Sequence, residues 1–127
     1  MAKLYYEKGF TLLEVLVAIT ILSIGLLGVA SLTTGIIKGN LYSKNVTSAT
    51  VVAQQKIEEI QRVGYDSANS LAGTATLSMG GYNFTRVTTI GPTIIDGTPQ
   101  PNMKTARVTV AWNPGGYSIS LDTIISQ

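Results

Sequence analysis

The sequence predicts an α+β fold, in which the C-terminal half of a long N-terminal α-helix packs on a small antiparallel β-sheet of about four strands. Two observations support this prediction. An uninterrupted apolar segment near the N-terminus runs directly into a segment with helical periodicity. The C-terminal half then contains short alternating segments separated by glycine-rich turns. Helical and strand segments that are segregated along a chain are typical of the α+β class.

The first element, an apolar helix that extends to about Ile37, is long enough to cross a membrane. No charged residue occurs from Val15 to Leu32, which meets the length of about 18–20 apolar residues that a spanning helix needs. Lys3 and Lys8 precede this segment, so we expect the N-terminus on the cytoplasmic side and the rest of the chain outside. No small-residue cleavage site of the secretory type follows, and we therefore expect the span to be retained.

The helix is expected to continue as an amphipathic segment over residues 38–64. Small or apolar residues and one asparagine recur there every three or four positions, which indicates one buried helix face. They are Leu41, Asn45, Ala49, Val52, Ala53, Ile57 and Ile60. Gly64 is a suitable residue to end the helix.

Residues 65–127 are expected to form the sheet. The predicted strands are Thr74–Met79, Tyr82–Ile90, Lys104–Trp112 and Tyr117–Ile125. Gly80-Gly81 and the segment 113–116 are predicted hairpin turns. Ile90–Met103 holds three of the four prolines and is predicted to be a long irregular connection. The apolar faces of the third and fourth strands, which include Val108 and Leu121, are expected to cover the buried helix face.

Glu14 stands at the start of the apolar segment and needs an explanation. A carboxylate within a membrane span is costly and is read as functional by default. An acid in the first turn of a helix can also simply complement the helix dipole. Position alone leaves both interpretations open.

The residues around Glu14 carry a family resemblance. Lys8-Gly9-Phe10-Thr11-Leu12-Leu13-Glu14, followed by the apolar segment, resembles the processing signature of type IV prepilins and of the pseudopilins of type II secretion systems. The resemblance implies the type IV pilin fold, cleavage by a prepilin peptidase between Gly9 and Phe10, and methylation of the new amine on Phe10. It also implies that this amine pairs with Glu14 of a neighbouring subunit and sets the register of a filament.

The resemblance also predicts four regions and a location. Residues 1–9 would be the leader, 10–37 the membrane-spanning and filament-core helix, 38–64 the amphipathic helix half and 65–127 the globular head. The precursor would cross the bacterial inner membrane once, with its head outside the cytoplasm, before it enters an extracellular or periplasmic filament. The implied partners are other pilin subunits, the prepilin peptidase and the inner-membrane assembly platform.

Four glycines interrupt the predicted helix, namely Gly25, Gly28, Gly35 and Gly39. Each weakens a helix by about 1 kcal/mol relative to alanine in water. Gly35 and Gly39 have the small-xxx-small spacing that lets membrane helices approach closely. Gly25 and Gly28 could let the helix loosen during assembly, and simple tolerance explains all four equally well.

Three further segments resemble PilV-type minor pilins: residues 49–60, 108–112 and 118–123. This resemblance favours a minor subunit that starts or caps a filament. Similar endings also occur in one class of pseudopilins, so a type II secretion pseudopilin and a major pilin remain the alternatives.

Composition gives no support for an enzyme. The chain has no histidine and no cysteine, which removes the commonest general base, thiolate chemistry and most zinc sites. Asp66, Asp96 and Asp122 lack ligand spacing, and we expect neither a metal nor another cofactor. Arg86, Lys104 and Arg107 could form a basic patch with Tyr82 or Tyr117, but three cations are too few for us to expect a nucleic-acid partner.

Overall fold

The computed structural model describes residues 9–112 and 116–127. The predicted leader, except for Gly9, and residues 113–115 of the second predicted turn lie outside the described residues. The chain forms two compact units, one up to Leu41 and one from Tyr42 onward, which are described separately below.

A single helix, α1 (Leu12–Ser67), contributes to both units. It begins two residues later than the predicted start at Phe10, because Thr11 acts as its N-terminal cap: the backbone N–H of Glu14 donates a hydrogen bond to Thr11 Oγ1 at 3.2 Å. Gly64 leaves helical geometry, with φ 73° and ψ −174°, where the helix end was predicted. Helical hydrogen bonding resumes as far as Ser67, and a short 3-10 helix (Ala68–Leu71) follows.

The second unit contains a four-stranded antiparallel sheet whose strands are neighbours in chain order. The strands are β1 (Gly73–Met79), β2 (Tyr82–Ile95), β3 (Thr98–Trp112) and β4 (Tyr117–Ser126). Gly80 and Gly81 have φ values of 60° and 83°, as a two-residue turn with two left-handed positions requires. The predicted α+β architecture is therefore confirmed.

The prediction of an irregular connection over Ile90–Met103 is wrong. β2 continues to Ile95 and β3 starts at Thr98, so that the two strands form a ribbon closed by Asp96 and Gly97. Both turn residues have positive φ, 49° and 77°, which is the geometry that an Asp-Gly pair favours. Prolines are tolerated because the ribbon has no outer neighbours: pairing with β1 ends at Thr88 and pairing with β4 begins at Met103.

The core of the second unit lies between one face of α1 and one face of the sheet. Its buried apolar residues are Ala49, Val52, Ala53, Ile60, Ala68, Phe84, Ala106, Val108, Val110, Trp112 and Ile125. The predicted helix face is thus buried from Asn45 onward, with Ile57 partly buried against the cluster. Leu41 falls in the first unit and is exposed. On β4, Leu121 is half-buried and Tyr117 is half-exposed, so the predicted apolar face of this strand is only partly covered.

Lys56 is a buried residue that the helical pattern did not indicate. Only 8% of its surface is exposed, and its Nζ atom donates a 2.9 Å hydrogen bond to Glu59 Oε2. This hydrogen bond lowers the pKa of Glu59. The aliphatic stem of Lys56 therefore contributes to the packed helix face while its charged end reaches Glu59 near the surface.

Truncating the core should destabilise the second unit strongly. Ile60 is completely buried, and we expect Ile60→Ala to lower the free energy of unfolding by about 2–5 kcal/mol, since a cavity replaces buried methyl and methylene groups. Urea unfolding of the full chain in detergent, followed by Trp112 fluorescence, measures this change. Val51→Ala is the matched control, because Val51 lies on the same helix but is 41% exposed, and its effect should stay within about 0.5 kcal/mol.

An ion pair on the outer face of the sheet should make stability depend on pH. Arg107 Nε and Nη2 donate to the two carboxylate oxygens of Asp122 at 2.8 and 2.7 Å. The hydrogen bond from Arg107 lowers the pKa of Asp122 below its usual 3.8. Because the folded-state pKa lies below the unfolded one, the contribution is present above pH 3.8 and is lost as the pH falls through the folded-state pKa.

We therefore expect Asp122→Asn to shift the urea midpoint downward at neutral pH and to leave it unchanged at a pH well below 3.8. The shift should be small, because both side chains are exposed and screened by solvent. Asp66→Asn serves as the control and should shift neither midpoint. Equal shifts at both pH values would mean that the substitution acts through packing and not through charge.

Candidate assembly and processing site

The candidate site lies at the start of α1, in the first unit. Gly9 and Phe10 precede the helix, and Glu14 occupies its first turn. Phe10 is 83% exposed, and no neighbour would contact a Cβ atom added to Gly9. The peptide bond between Gly9 and Phe10 therefore lies in an exposed, non-helical segment, a geometry that a peptidase can reach.

Phe10 and Glu14 lie on the same side of the helix start. Together they line a shallow groove whose other residues are Val15, Ala18, Ile19 and Leu22. Glu14 is the one charged residue among these, so the groove presents a carboxylate on an apolar surface. A charged group in such surroundings gains little solvation once lipid or other helices cover it, and a cationic partner would then stabilise it.

The contact with Thr11 caps the helix through the backbone of Glu14 and leaves the Glu14 carboxylate available for a partner. The cap uses the backbone N–H of Glu14 and not its carboxylate. Within residues 9–112 and 116–127, no side chain forms a hydrogen bond or ion pair with this carboxylate. Sequence reasoning missed the role of Thr11, although the spacing Thr-x-x-Glu is the signal of a capping box.

The remainder of the first unit presents an apolar surface on all sides. Every residue from Gly9 to Leu41 is exposed, including large side chains such as Leu16, Leu27 and Ile36. α1 contains a stretch that is long and apolar enough to cross a membrane. A soluble monomer rarely exposes so much contiguous apolar surface, so lipid or other helices must cover it.

Four hydroxyl side chains in this segment are satisfied without water. The hydroxyl groups of Thr20, Ser23, Thr33 and Thr34 each donate a hydrogen bond to the carbonyl oxygen four residues earlier, at 2.7–3.1 Å. Since polar groups in an apolar medium need internal partners, these bonds make the segment compatible with a lipid or protein surrounding.

The four helix glycines have no intramolecular packing role among the described residues. A Cβ atom added to Gly25, Gly28, Gly35 or Gly39 would have no neighbour within 4 Å. Contacts inside the described part of the chain therefore do not require glycine at these positions. Close approach of another helix, helix loosening and simple tolerance all remain consistent with this geometry.

The suggested basic patch does not form. Arg86 and Arg107 lie on opposite faces of the sheet, because Arg86 pairs with Val110 and Arg107 pairs with Thr89. Arg107 is held by Asp122, and Lys104 donates to the carbonyl oxygen of Tyr65 and lies over its ring. Within residues 9–112 and 116–127, no group of three or more histidine, cysteine, aspartate or glutamate residues could hold a metal ion.

Comparison with known proteins supports the interpretation of the N-terminal segment. Residues 5–30 match the family model of the prokaryotic N-terminal methylation motif, a range that includes Gly9, Phe10 and Glu14. No curated protein and no solved structure matches the chain. The matched signature is that of structural proteins rather than enzymes, and it implies contact with other pilin subunits and processing by a prepilin peptidase in general. The chain therefore carries the type IV pilin signature at its N-terminus, on a helix-and-sheet architecture of the type IV pilin kind.

Proposed function

We propose that this protein is a structural subunit of a type IV pilus filament, of the minor-pilin kind. The observation that carries the proposal is the exposed apolar helix of the first unit, which begins with the methylation signature. Such a helix has two suitable surroundings, the lipid in which a precursor waits and the apolar interior of a helical filament. The subunit would move from the first to the second, and its function would be assembly and not turnover.

The proposed sequence of events starts in the inner membrane, with the second unit outside the cytoplasm. The prepilin peptidase removes residues 1–9 and methylates the amine of Phe10. The inner-membrane assembly platform then transfers the subunit into the filament. Residues 10–37 build the filament core, residues 38–64 connect this core to the head, and residues 65–127 complete the head on the outside.

Cleavage would create a cationic partner for Glu14, whose carboxylate has none within residues 9–112 and 116–127. Before cleavage Phe10 carries a neutral peptide nitrogen, whereas afterwards it carries a cationic amine. In an apolar filament core this amine and the carboxylate of Glu14 on a neighbouring subunit would neutralise each other. A misregistered subunit would leave both charges buried and unpaired, which costs about 3–5 kcal/mol when one partner of a buried pair is missing. The pair would therefore select one axial register.

Two related kinds of subunit would assemble through the same helix and charge pair: a pseudopilin of a type II secretion system and a major pilin. The PilV-like segments at residues 49–60, 108–112 and 118–123 favour a minor pilin. Fibres sheared from the surface of the native host test the proposal. We expect the chain in these fibres at far lower abundance than the main subunit. Absence from surface fibres, together with a secretion defect on deletion, would replace the minor-pilin proposal with the pseudopilin alternative.

A further inference from the structure

Four aromatic rings cluster at one end of the second unit. The Trp112 ring lies 6.0 Å from the ring of Tyr117, 6.2 Å from that of Tyr42 and 6.4 Å from that of Phe84. Tyr42 meets Tyr117 edge to face at 5.0 Å. Aromatic pairs at such distances add about 0.5–1.5 kcal/mol each beyond their buried area. The cluster therefore holds the first helical turn of this unit against the sheet.

The aromatic cluster lies at one end of the sheet only, so the two ends of the second unit differ. Phe84, Trp112 and Tyr117 form one row across β2, β3 and β4, next to the Gly80-Gly81 turn. The turn at Asp96 lies at the opposite end of the sheet. It lies twelve residues after Phe84 in the sequence, or about 40 Å at 3.3 Å per residue.

The aromatic end exposes amphipathic and apolar side chains around a buried centre. Trp112 is only 3% exposed, whereas Tyr42 is 48% and Tyr117 is 52% exposed. Met79 and Tyr82, which pair with each other at the same end, are 41% and 36% exposed. We call these four exposed residues, Tyr42, Met79, Tyr82 and Tyr117, the aromatic rim. Tyrosine has an apolar body and a polar tip, which is why it is enriched where hydrocarbon meets water.

Chain order and charge indicate what the rim contacts. Tyr42 follows Lys38, which is the first charged residue after the apolar segment, by only four residues. A second cation, Lys44, has its ammonium group beside Gly80, 3.8 Å from the position that a Cβ atom would take. Tyrosines close to the end of a membrane span have the position of the aromatic residues that lie at the lipid headgroup level on either side of a membrane. The long side chains of Lys38 and Lys44 can reach the same level with their charged ends.

We propose that the aromatic rim rests in the lipid headgroup region while the subunit is stored in the membrane. This inference rests on the proposed function, because it requires the apolar helix to be inserted in lipid. The rim would hold the second unit upright, with the Asp96 turn pointing away from the bilayer. Extraction into a filament would then have to release the rim from lipid as well as the helix.

The absence of cysteine from the chain allows a test with single-cysteine reporters. Ser118→Cys places a fluorophore beside Tyr117, and Thr98→Cys places the same fluorophore at the Asp96 turn. Both positions are exposed strand residues, so labelling leaves the core intact, and circular dichroism checks the fold in every sample. The full chain is reconstituted into phosphatidylcholine vesicles that carry a nitroxide on the lipid headgroup, and flotation confirms its insertion.

We expect the nitroxide lipid to quench the Ser118→Cys reporter, because tyrosines beside it would lie at the headgroup level, and to leave the Thr98→Cys reporter nearly unquenched. Adding Tyr42→Ser and Tyr117→Ser should abolish this quenching at position 118. The matched control, Ile94→Ser with Ile124→Ser, removes exposed apolar side chains outside the rim and should leave quenching unchanged.

The outcomes distinguish contact of the aromatic rim with lipid from attachment of the second unit to the membrane through the helix alone. If the protein floats with the vesicles but the two tyrosine substitutions leave the quenching unchanged, the helix anchors the protein and the rim proposal is overturned. Equal quenching at both reporters also overturns it, because the second unit would then have no preferred orientation. A chain that does not float contradicts the membrane-stored state itself, and with it both the rim and the proposed function.

Discussion

Glu14→Gln should allow normal cleavage and nearly eliminate the protein from filaments. The substitution keeps the shape of the side chain and the backbone N–H that Thr11 caps, but in the proposed pair it would leave the Phe10 amine of the neighbouring subunit without a counter-charge. The loss of one partner from a buried pair costs about 3–5 kcal/mol, which corresponds to at least about a 100-fold lower incorporation at equilibrium. The ratio of chain in sheared fibres to chain in membranes measures the effect.

Two variants separate this charge-pair account from the helix-dipole account of Glu14. Thr11→Ala removes the N-terminal cap at a cost of about 1 kcal/mol, so it should lower incorporation only about fivefold. Glu58→Gln removes an exposed acid from the same helix and should have no effect. If Glu14→Gln entered fibres as well as Thr11→Ala did, the carboxylate would act only by interacting with the helix dipole. That interaction contributes about 0.3–1 kcal/mol to helix stability.

Gly9→Leu should leave the leader attached to essentially all of the protein. A peptidase must bring its catalytic groups close to the peptide bond between Gly9 and Phe10, and a branched side chain on the first of these residues obstructs that approach. The uncleaved chain would also keep Lys3, Glu7 and Lys8, whose charges cannot enter an apolar filament core at low cost. We therefore expect the full-length mass in membranes and no incorporation into fibres.

The matched control for this prediction is Gly28→Ala. It changes a glycine that has no neighbour in the described chain and lies far from the cleavage site, so the leader should still be removed. Cleavage of Gly9→Leu at the normal position would show that the peptidase does not read this glycine, and processing would have to depend on the residues that follow it.

Local patterns in the sequence were enough to predict much of the fold. The face of β3 that includes Val108 was correctly predicted to be the inner one. The prediction failed over Ile90–Met103, where the three prolines indicated an irregular connection but Asp96 and Gly97 form a tight turn between two strands. A proline is tolerated where its strand has no hydrogen-bonded neighbour on one side. The sequence alone does not show where this is the case, because it depends on the order and register of the strands.

The residues of the candidate site could be predicted from the sequence, whereas contacts between distant parts of the chain could not. Gly9, Phe10 and Glu14 lie within one short segment of the sequence, so their chemistry could be predicted without knowledge of the fold. The contact of Tyr42 with Tyr117 joins residues that are distant in the sequence and depends on strand register. Register also decided that Arg86 and Arg107 lie on opposite faces, since a shift of one residue exchanges the two faces of a strand.

The intact mass and N-terminal sequence of the membrane-extracted protein from its native host show whether the precursor is processed as proposed. We expect a chain that begins at Phe10 and carries one added methyl group on its amine. A chain that still begins at Met1 in a host with an active prepilin peptidase would contradict it, because Glu14 would then have no amine to pair with.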